Sequence, residues 1–210
     1  MQRRQFIVQG SASLSMLAVP ALSQAQVRPT EGRQYLKLST PLPGAAADGE
    51  VLEFFSYTCP HCHAFEPSLH QWLARKPAKV QFRRVPMVIN PIARVTQKVY
   101  YALEAMGQLE ALHSSVFKAV QADLTKFQTL DSAQAELVKL GVDGARFKQT
   151  AESFGVQSKC QQATSLGQAV TSHGVPTVVV NGRWVTSPSI AQGYPEALAA
   201  IDHLLTLPRA

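Results

Sequence analysis

The sequence has few cysteines, no basic run interleaved with aromatic residues and no long apolar run, and each of these shortages excludes a class of protein. Among 210 residues there are only three cysteines, Cys59, Cys62 and Cys160. A structural zinc site needs four ligands, and the six histidines stand at no finger-like spacing, which argues against a metal site. The net charge is +6, but no basic run interleaved with aromatic residues occurs. We therefore expect no nucleic-acid partner.

The chain also lacks an apolar run at its N-terminus that is long enough to cross a bilayer. The stretch from residue 6 to residue 20 is short and rich in Ser and Gly. With Arg3 and Arg4 ahead of it and Ser23-Gln24-Ala25 behind it, it predicts a cleaved export signal over residues 1–25. The adjacent arginines fit either the general or the twin-arginine export route, which stays open. Both routes lead to the periplasm, an oxidising compartment.

The remaining chain has the composition of a folded protein. Apolar residues make up 46% of the sequence, which fits one compact domain or a domain with a large insertion. No composition typical of disorder is present.

A pair of cysteines three residues apart is the strongest chemical signal. Residues 51–55 (Val-Leu-Glu-Phe-Phe) form a strand candidate, and Cys59-Pro60-His61-Cys62 follows after a short turn. Apolar residues then recur at helical spacing, so the pattern predicts a strand, a Cys-x-x-Cys motif and a helix. Two thiols in this arrangement can form a reversible disulfide.

The predicted position at a helix N-terminus gives the two thiols different roles. Free N–H groups and the helix dipole favour the thiolate of Cys59, which we interpret as the exposed nucleophile. Cys62 lies one turn deeper and acts as the resolving thiol. His61 adds positive charge when protonated, and Pro60 fixes the first turn. A stabilised thiolate makes the disulfide a strong oxidant.

A competing interpretation of the same residues is haem attachment. Cys59 to His63 matches Cys-x-x-Cys-His, in which His63 would be the axial ligand. The strand that leads into the motif and the downstream proline element favour a redox pair, because a haem pocket requires neither. The sequence leaves this alternative open.

A second informative segment lies near the C-terminus. Gly174-Val175-Pro176-Thr177 precedes an apolar run, and Asn181-Gly182 predicts a two-residue hairpin turn. A proline just ahead of a central strand is unusual unless its peptide bond is cis or the position has a function.

Helical periodicity dominates the roughly ninety residues between a strand candidate at 80–85 and Gly174. It predicts five helices, far more than one crossover needs. Apolar residues mark the first helix from Ile92 to Met106, the second from Leu109 to Val120 and the third from Ala133 to Leu140, with a start near Asp131. The fourth has Asp143 as N-cap, apolar residues from Phe147 to Phe154 and Gly155 as its C-terminal stop. The fifth runs from Lys159 to Ser172.

Together these motifs resemble the DsbA family of periplasmic thiol:disulfide oxidases, within the thioredoxin superfamily. The resemblance implies an α/β thioredoxin-like fold with an inserted all-helical domain. The implied domains are residues 26–90 with 172–210 for the thioredoxin-like part, and 91–171 for the insertion. It also implies that Val175-Pro176 is a cis bond that binds substrate peptide, and that Pro60 and His61 tune the redox potential.

The resemblance further assigns partners. Substrates are exported proteins with cysteine pairs, and an inner-membrane quinone reductase of the DsbB type restores the Cys59–Cys62 disulfide. No metal or organic cofactor is implied. Glu53 either faces solvent as one side chain of an alternating strand or is buried beneath the motif; its apolar neighbours favour burial, and the resemblance then implies that it relays protons to Cys62.

Two further expectations concern the rest of the chain. Cys160 departs from the family pattern, and we interpret it as a buried small apolar side chain, with a redox or intermolecular role as the alternative. A reductase or isomerase of the same fold stays an alternative, although too few residues precede the first strand candidate for a dimerisation domain. We therefore expect a monomer.

Overall fold

The computed structural model describes residues 28–42 and 49–207. The predicted signal over residues 1–25 lies outside the described residues, so it stays a prediction. Within the described ranges, no helix is both long enough and apolar enough to cross a membrane.

The centre of the fold is a mixed five-stranded sheet. Strand β2 occupies its middle, parallel to β3 and antiparallel to β4, and the full order is β1-β5-β4-β2-β3. The strands are β1 Leu36–Lys37, β2 Glu50–Phe55, β3 Gln81–Pro86, β4 Thr177–Val180 and β5 Trp184–Thr186. Since β2 is flanked on both sides, its residues from Val51 to Phe55 are buried.

Eight α-helices surround this sheet in the part of the chain that is described. They are α1 Pro60–Arg75, α2 Pro91–Ala105, α3 Leu109–Ala122, α4 Leu130–Lys139, α5 Gly144–Ala151, α6 Phe154–Gln168, α7 Pro188–Ala191 and α8 Tyr194–Leu204. Helix α1 connects the parallel strands β2 and β3. Helices α2 to α6 form the insertion between β3 and β4, as the helical periodicity predicts.

The two faces of the sheet contribute to two apolar clusters. One cluster joins Val178 and Val180 to α1 and α8, with Trp72 fully buried in it. The other joins Leu52, Val179 and the active-site end of β2 to the inserted helices. Successive side chains of β4 point to opposite faces of the sheet, so Val178 and Val180 pack toward α1 and α8 while Val179 packs toward the insertion.

The fourth and fifth predicted helices have different boundaries from those expected. Helix α5 ends at Ala151, and Phe154 starts α6 rather than closing α5. The reason is local: the Ser153 side chain accepts a hydrogen bond from the Val156 N–H and caps α6. Gly155 therefore lies inside a helix, and Phe154 is 86% exposed. Helix α6 ends at Gln168, before the expected Ser172.

The predicted hairpin is present with one difference in register. Asn181 and Gly182 both have positive φ, 51° and 63°, and the Arg183 N–H donates to the Val180 carbonyl at 3.1 Å. The turn is thus centred on Asn-Gly as expected. Strand pairing resumes at Val180 with Trp184, so Arg183 is an additional residue in the loop.

Candidate active site

The cysteine pair lies where β2 passes into α1. Strand β2 ends at Phe55, and the Ser56 carbonyl accepts a hydrogen bond from the Cys59 N–H at 3.0 Å, which closes a turn. Cys59 is the extended N-cap residue and Pro60 is the first helical residue, where its fixed φ suits the helix and its missing N–H costs nothing. The first turn of α1 then places Cys62 beneath Cys59.

The two cysteines differ in exposure, but less than expected. Cys62 is 0% exposed and Cys59 only 6% exposed, so describing Cys59 as an exposed nucleophile is wrong. Cys59 is covered because the loop that contains Val175 packs against it. Cys59 is nevertheless the more accessible of the two residues.

The surroundings of the pair separate the pKa values of the two thiols. A hydrogen bond from the Cys62 thiol lowers the pKa of Cys59 to about 6, against the opposing effect of burial. The backbone N–H groups of Cys62 and His61 and the charge of His61 lower it further. Burial, the hydrogen bond with Cys59 and the Cys59 charge raise the pKa of Cys62 far above its usual value. At neutral pH the reduced pair therefore holds a Cys59 thiolate and a Cys62 thiol.

The predicted proline element lies directly over the pair. The Val175–Pro176 peptide bond is cis, as the resemblance implies. The Cys59 sulfur lies 3.5 Å from the Val175 carbonyl oxygen, and Pro176 is buried. Strand β4 starts at the next residue and pairs with β2, which brings this loop to the active-site end of the sheet.

Glu53 is fully buried in the middle of β2, as expected from its apolar neighbours. The Arg84 Nε lies 3.0 Å from its Oε2, yet the geometry is not that of a hydrogen bond, and neither carboxyl oxygen has a hydrogen-bond partner among the described residues. Burial raises the pKa of Glu53 to about 8; the Arg84 charge opposes this and the Glu66 charge adds to it. Glu53 therefore holds a proton at neutral pH.

A second acid shares the same arginine. Both carboxyl oxygens of Glu66, on α1, lie 3.2 Å from Arg84 Nη2. Burial alone would raise the pKa of Glu66, but His113 and Arg84 together hold it below its usual value. The buried cluster of Glu53, Glu66, Arg84 and His113 thus holds one carboxylate and one guanidinium ion, which balance.

His113 belongs to α3 and was not singled out by sequence reasoning. Its Nε2 lies 3.3 Å from Glu66 Oε1, and its Nδ1 lies 2.7 Å from the Tyr57 hydroxyl oxygen. Gln121, also on α3, donates to the Tyr57 carbonyl at 2.7 Å. The insertion therefore holds the segment just before Cys59. The only sequence signal was a histidine on the apolar face of a predicted helix, which gives no partner.

The residues between and after the cysteines face outward. Pro60 and His61 are exposed, whereas His63 is partly covered and its ring stacks on Phe117 with centroids 5.6 Å apart. A haem would need thioether bonds to both sulfurs, and Cys62 has no exposed surface to receive one. This geometry disfavours the haem interpretation.

The third cysteine lies away from this site. Cys160, on α6, is partly exposed, so the expectation of a buried side chain is wrong, although it packs against the apolar cluster of the insertion. Burial raises the pKa of its thiol to about 11, and Lys98 opposes the shift. In the described ranges, no group of three or more His, Cys, Asp or Glu side chains could hold a metal ion.

Comparison with known proteins identifies relatives of this chain. The family model described as DSBA-like thioredoxin domain matches residues 50–193. A thiol:disulfide interchange protein DsbA of Pseudomonas aeruginosa is 34% identical over 201 residues, which covers 95% of both chains. One from Bordetella parapertussis is 34% identical over 195 residues, covering 92% of this chain and 93% of the relative.

Solved structures give the same result. The crystal structure of Pseudomonas aeruginosa DsbA has a TM-score of 0.78 and 36% identity, and the match covers 84% of this chain and 93% of that one. Oxidoreductase DsbA from Xylella fastidiosa has a TM-score of 0.76 and 29% identity, with coverage of 86% and 97%.

Proposed function

The chain belongs to the DSBA-like thioredoxin domain family, and we propose that it is a periplasmic thiol:disulfide oxidoreductase that donates a Cys59–Cys62 disulfide to newly exported proteins. One observation carries the proposal: Cys59 has its pKa lowered to about 6 at the start of α1, above a buried Cys62. A dithiol whose reduced form is stabilised in this way is an oxidant when it is a disulfide.

The reaction begins on the Cys59 sulfur. A substrate thiolate attacks it, the Cys59–Cys62 bond breaks, and a substrate–Cys59 disulfide forms while Cys62 leaves as a thiolate. A second substrate thiolate then attacks the substrate sulfur of this mixed disulfide and releases Cys59 as a thiolate. The substrate loses two electrons and gains a disulfide, and the enzyme becomes a dithiol.

Glu53 supplies the proton that the first step needs. A thiolate is unfavourable at the position of Cys62, because the site is buried. Glu53 holds a proton at neutral pH and sits in the strand that leads to the motif, so we assign it the role of acid toward Cys62.

Substrate binding and reoxidation are assigned to the surface beside the proline loop. Val175 is partly exposed and its carbonyl oxygen lies against Cys59, which supports Val175 as a binding position for an extended peptide, together with Pro176. Pro60 and His61 are exposed at the same place and tune the thiolate. We assign the return of the disulfide to an inner-membrane quinone reductase of the DsbB type.

The test is the equilibrium of the Cys59–Cys62 pair with glutathione. We expect a reduction potential above about −200 mV, the range of an oxidising compartment. A value of about −270 mV, typical of thioredoxin, would contradict the proposal and favour a reductase of the same fold.

Two variants serve as controls for that measurement. Replacing Pro60-His61 by Gly-Pro, the dipeptide typical of thioredoxin, should lower the potential, because it removes the His61 charge next to Cys59. Cys62→Ser should abolish the two-electron equilibrium and leave only mixed disulfides of Cys59 with glutathione.

A further inference from the structure

The buried cluster beneath the active site contains two acids that compete for one guanidinium group. Glu66 has two partners: Arg84 Nη2 at 3.2 Å from both its oxygens, and His113 Nε2 at 3.3 Å. Glu53 has only Arg84 Nε at 3.0 Å. The contacts of the two carboxyls are therefore unequal: Glu66 accepts hydrogen bonds from Arg84 Nη2 on both oxygens and also lies against His113, whereas the Arg84 contact of Glu53 is not aligned as a hydrogen bond.

The two ring nitrogens of His113 have defined roles. Tyr57 is fully buried, and burial raises the pKa of its hydroxyl well above the usual value, so the hydroxyl stays protonated and donates to Nδ1 at 2.7 Å. The neutral ring then carries its hydrogen on Nε2, which faces the Glu66 carboxylate. The Nε2–H is not aligned as a hydrogen bond to Glu66, and acts as a dipole at contact distance.

We propose that His113 is a positioning residue that holds the negative charge of the cluster on Glu66 and so leaves the proton on Glu53, where Cys62 needs it. The inference rests on the proposed function, because it concerns the supply of that proton. It assigns the inserted helices a part in the redox step, since His113 reaches the cluster from α3.

The groups around His113 determine whether its ring is charged. The titratable and charged groups that face it are Tyr57 before α1, Glu66 on α1, Arg84 on β3, Tyr100 on α2 and Glu110 on α3. Burial lowers the pKa of His113, contact with Glu66 opposes this, and the charge of Arg84 lowers it further. His113 is therefore neutral in the pH range in which Glu53 titrates.

The test measures which carboxyl holds the proton. In the reduced full-length mature protein, the carboxyl ¹³C shift of Glu53, assigned with Glu53→Gln, should titrate near pH 8. In His113→Leu we expect this midpoint to fall and that of Glu66 to rise, each by about one unit, the scale of losing one polar partner in a buried pair. An unchanged Glu53 midpoint in this variant would overturn the proposal.

Two further variants separate positioning from packing, with circular dichroism to confirm that each is folded. His113→Gln keeps an N–H donor near the Nε2 position and should restore the Glu53 midpoint to within a few tenths of a unit of the wild type. Phe117→Leu changes the apolar packing against the His113 ring, whose centroid lies 5.2 Å from that of Phe117, without removing a polar contact, and should leave the midpoint unchanged. If Phe117→Leu lowers the midpoint as much as His113→Leu, packing alone explains the effect and the proposal is wrong.

The pH profile of disulfide donation links the result to the reaction. In single-turnover reduction of the oxidised protein by a model dithiol, loss of the proton from Glu53 should slow the step at high pH, and His113→Leu should move this limb of the profile to lower pH. If Glu53→Gln leaves the profile unchanged, the role assigned to Glu53 in the proposed function fails. If Glu53→Gln changes the profile and His113→Leu does not, only this inference fails.

Discussion

At the residue scale, the chemistry of Cys59 depends on its partner more than on the helix that it starts. The largest favourable contribution to its lowered pKa is the hydrogen bond from the Cys62 thiol, followed by the backbone N–H groups of Cys62 and His61. The helix N-terminus contributes as expected, but one thiol donor contributes more. The motif is thus a cooperative unit, in which each cysteine shifts the pKa of the other in the opposite direction.

This coupling is testable through the thiolate itself. In a reduced Cys160→Ala background, the ultraviolet absorbance of the Cys59 thiolate should appear as pH rises through about 6, and alkylation by iodoacetamide should follow it. The sign follows from the lowered pKa: the thiolate is present above this midpoint and lost below it. A midpoint near 9 would contradict the assigned site.

The matched controls for this titration replace the donor. Cys62→Ser keeps a hydroxyl that donates to Cys59, so the midpoint should stay low. Cys62→Ala removes the donor, and the midpoint should rise by about one unit or more. Equal midpoints in the two variants would assign the shift to the helix N-terminus instead.

At the scale of elements, α2 starts at a residue that also holds the active-site turn. The Asn90 side chain accepts a hydrogen bond from the Ala93 N–H at 2.8 Å as N-cap, and its Nδ2 donates to Thr58 Oγ1 at 3.0 Å. Thr58 immediately precedes Cys59. The first inserted helix is therefore joined to the site by its cap, just as α3 is joined to it by His113 and Gln121.

Substitution of Asn90 can separate these two contacts. Asn90→Ala loses both and should lower the free energy of unfolding by about 1–2 kcal/mol, the usual cost of losing an N-cap. Asn90→Asp keeps the acceptor for Ala93 and loses the donor to Thr58, so it should be less destabilised. Urea denaturation measures both values, and a larger loss in Asn90→Asp would contradict the capping role.

At the scale of the whole molecule, the insertion has no core separate from the thioredoxin-like part. Its buried side chains belong to the same cluster as Phe54, Phe55 and both active-site cysteines. Phe117 of α3 is fully buried against Phe55 and Tyr57, with ring centroids 5.6 and 4.7 Å away. We infer that the two parts unfold together, because neither can lose its packing alone.

A pair of identical substitutions tests this. Phe117→Ala should lower the free energy of unfolding by about 3–5 kcal/mol, and Phe154→Ala, at an 86% exposed position, by less than about 0.5 kcal/mol. In Phe117→Ala, tryptophan fluorescence should report unfolding at the opposite face of the sheet, where Trp72 and Trp184 lie. Far-ultraviolet circular dichroism should report unfolding of the helices. Both signals should share one midpoint, and two separated transitions would contradict a shared core.

Most of the fold could be predicted from the sequence, because the patterns that indicate strands, helices and turns are local. Short apolar runs located the strands, helical periodicity located the inserted helices, and Asn181-Gly182 located a turn. The prediction of the boundary between α5 and α6 was wrong for a local reason as well. Phe147, Ala151 and Phe154 have the spacing of one helix, but the Ser153 cap starts a new helix between the last two. A periodic pattern does not show where one helix stops when the next begins three residues later.

The sequence by itself determined the redox pair, its position at a helix N-terminus and the burial of Glu53, because each follows from neighbouring residues and their periodicity. Only the tertiary structure decided which groups surround the pair. Arg84 on β3, Glu66 on α1 and His113 on α3 are far apart in sequence, and meet only when the insertion packs against the sheet. Their effect on protonation depends on distances of a few ångströms in a buried site, where charges are poorly screened. No spacing along the chain specifies such distances.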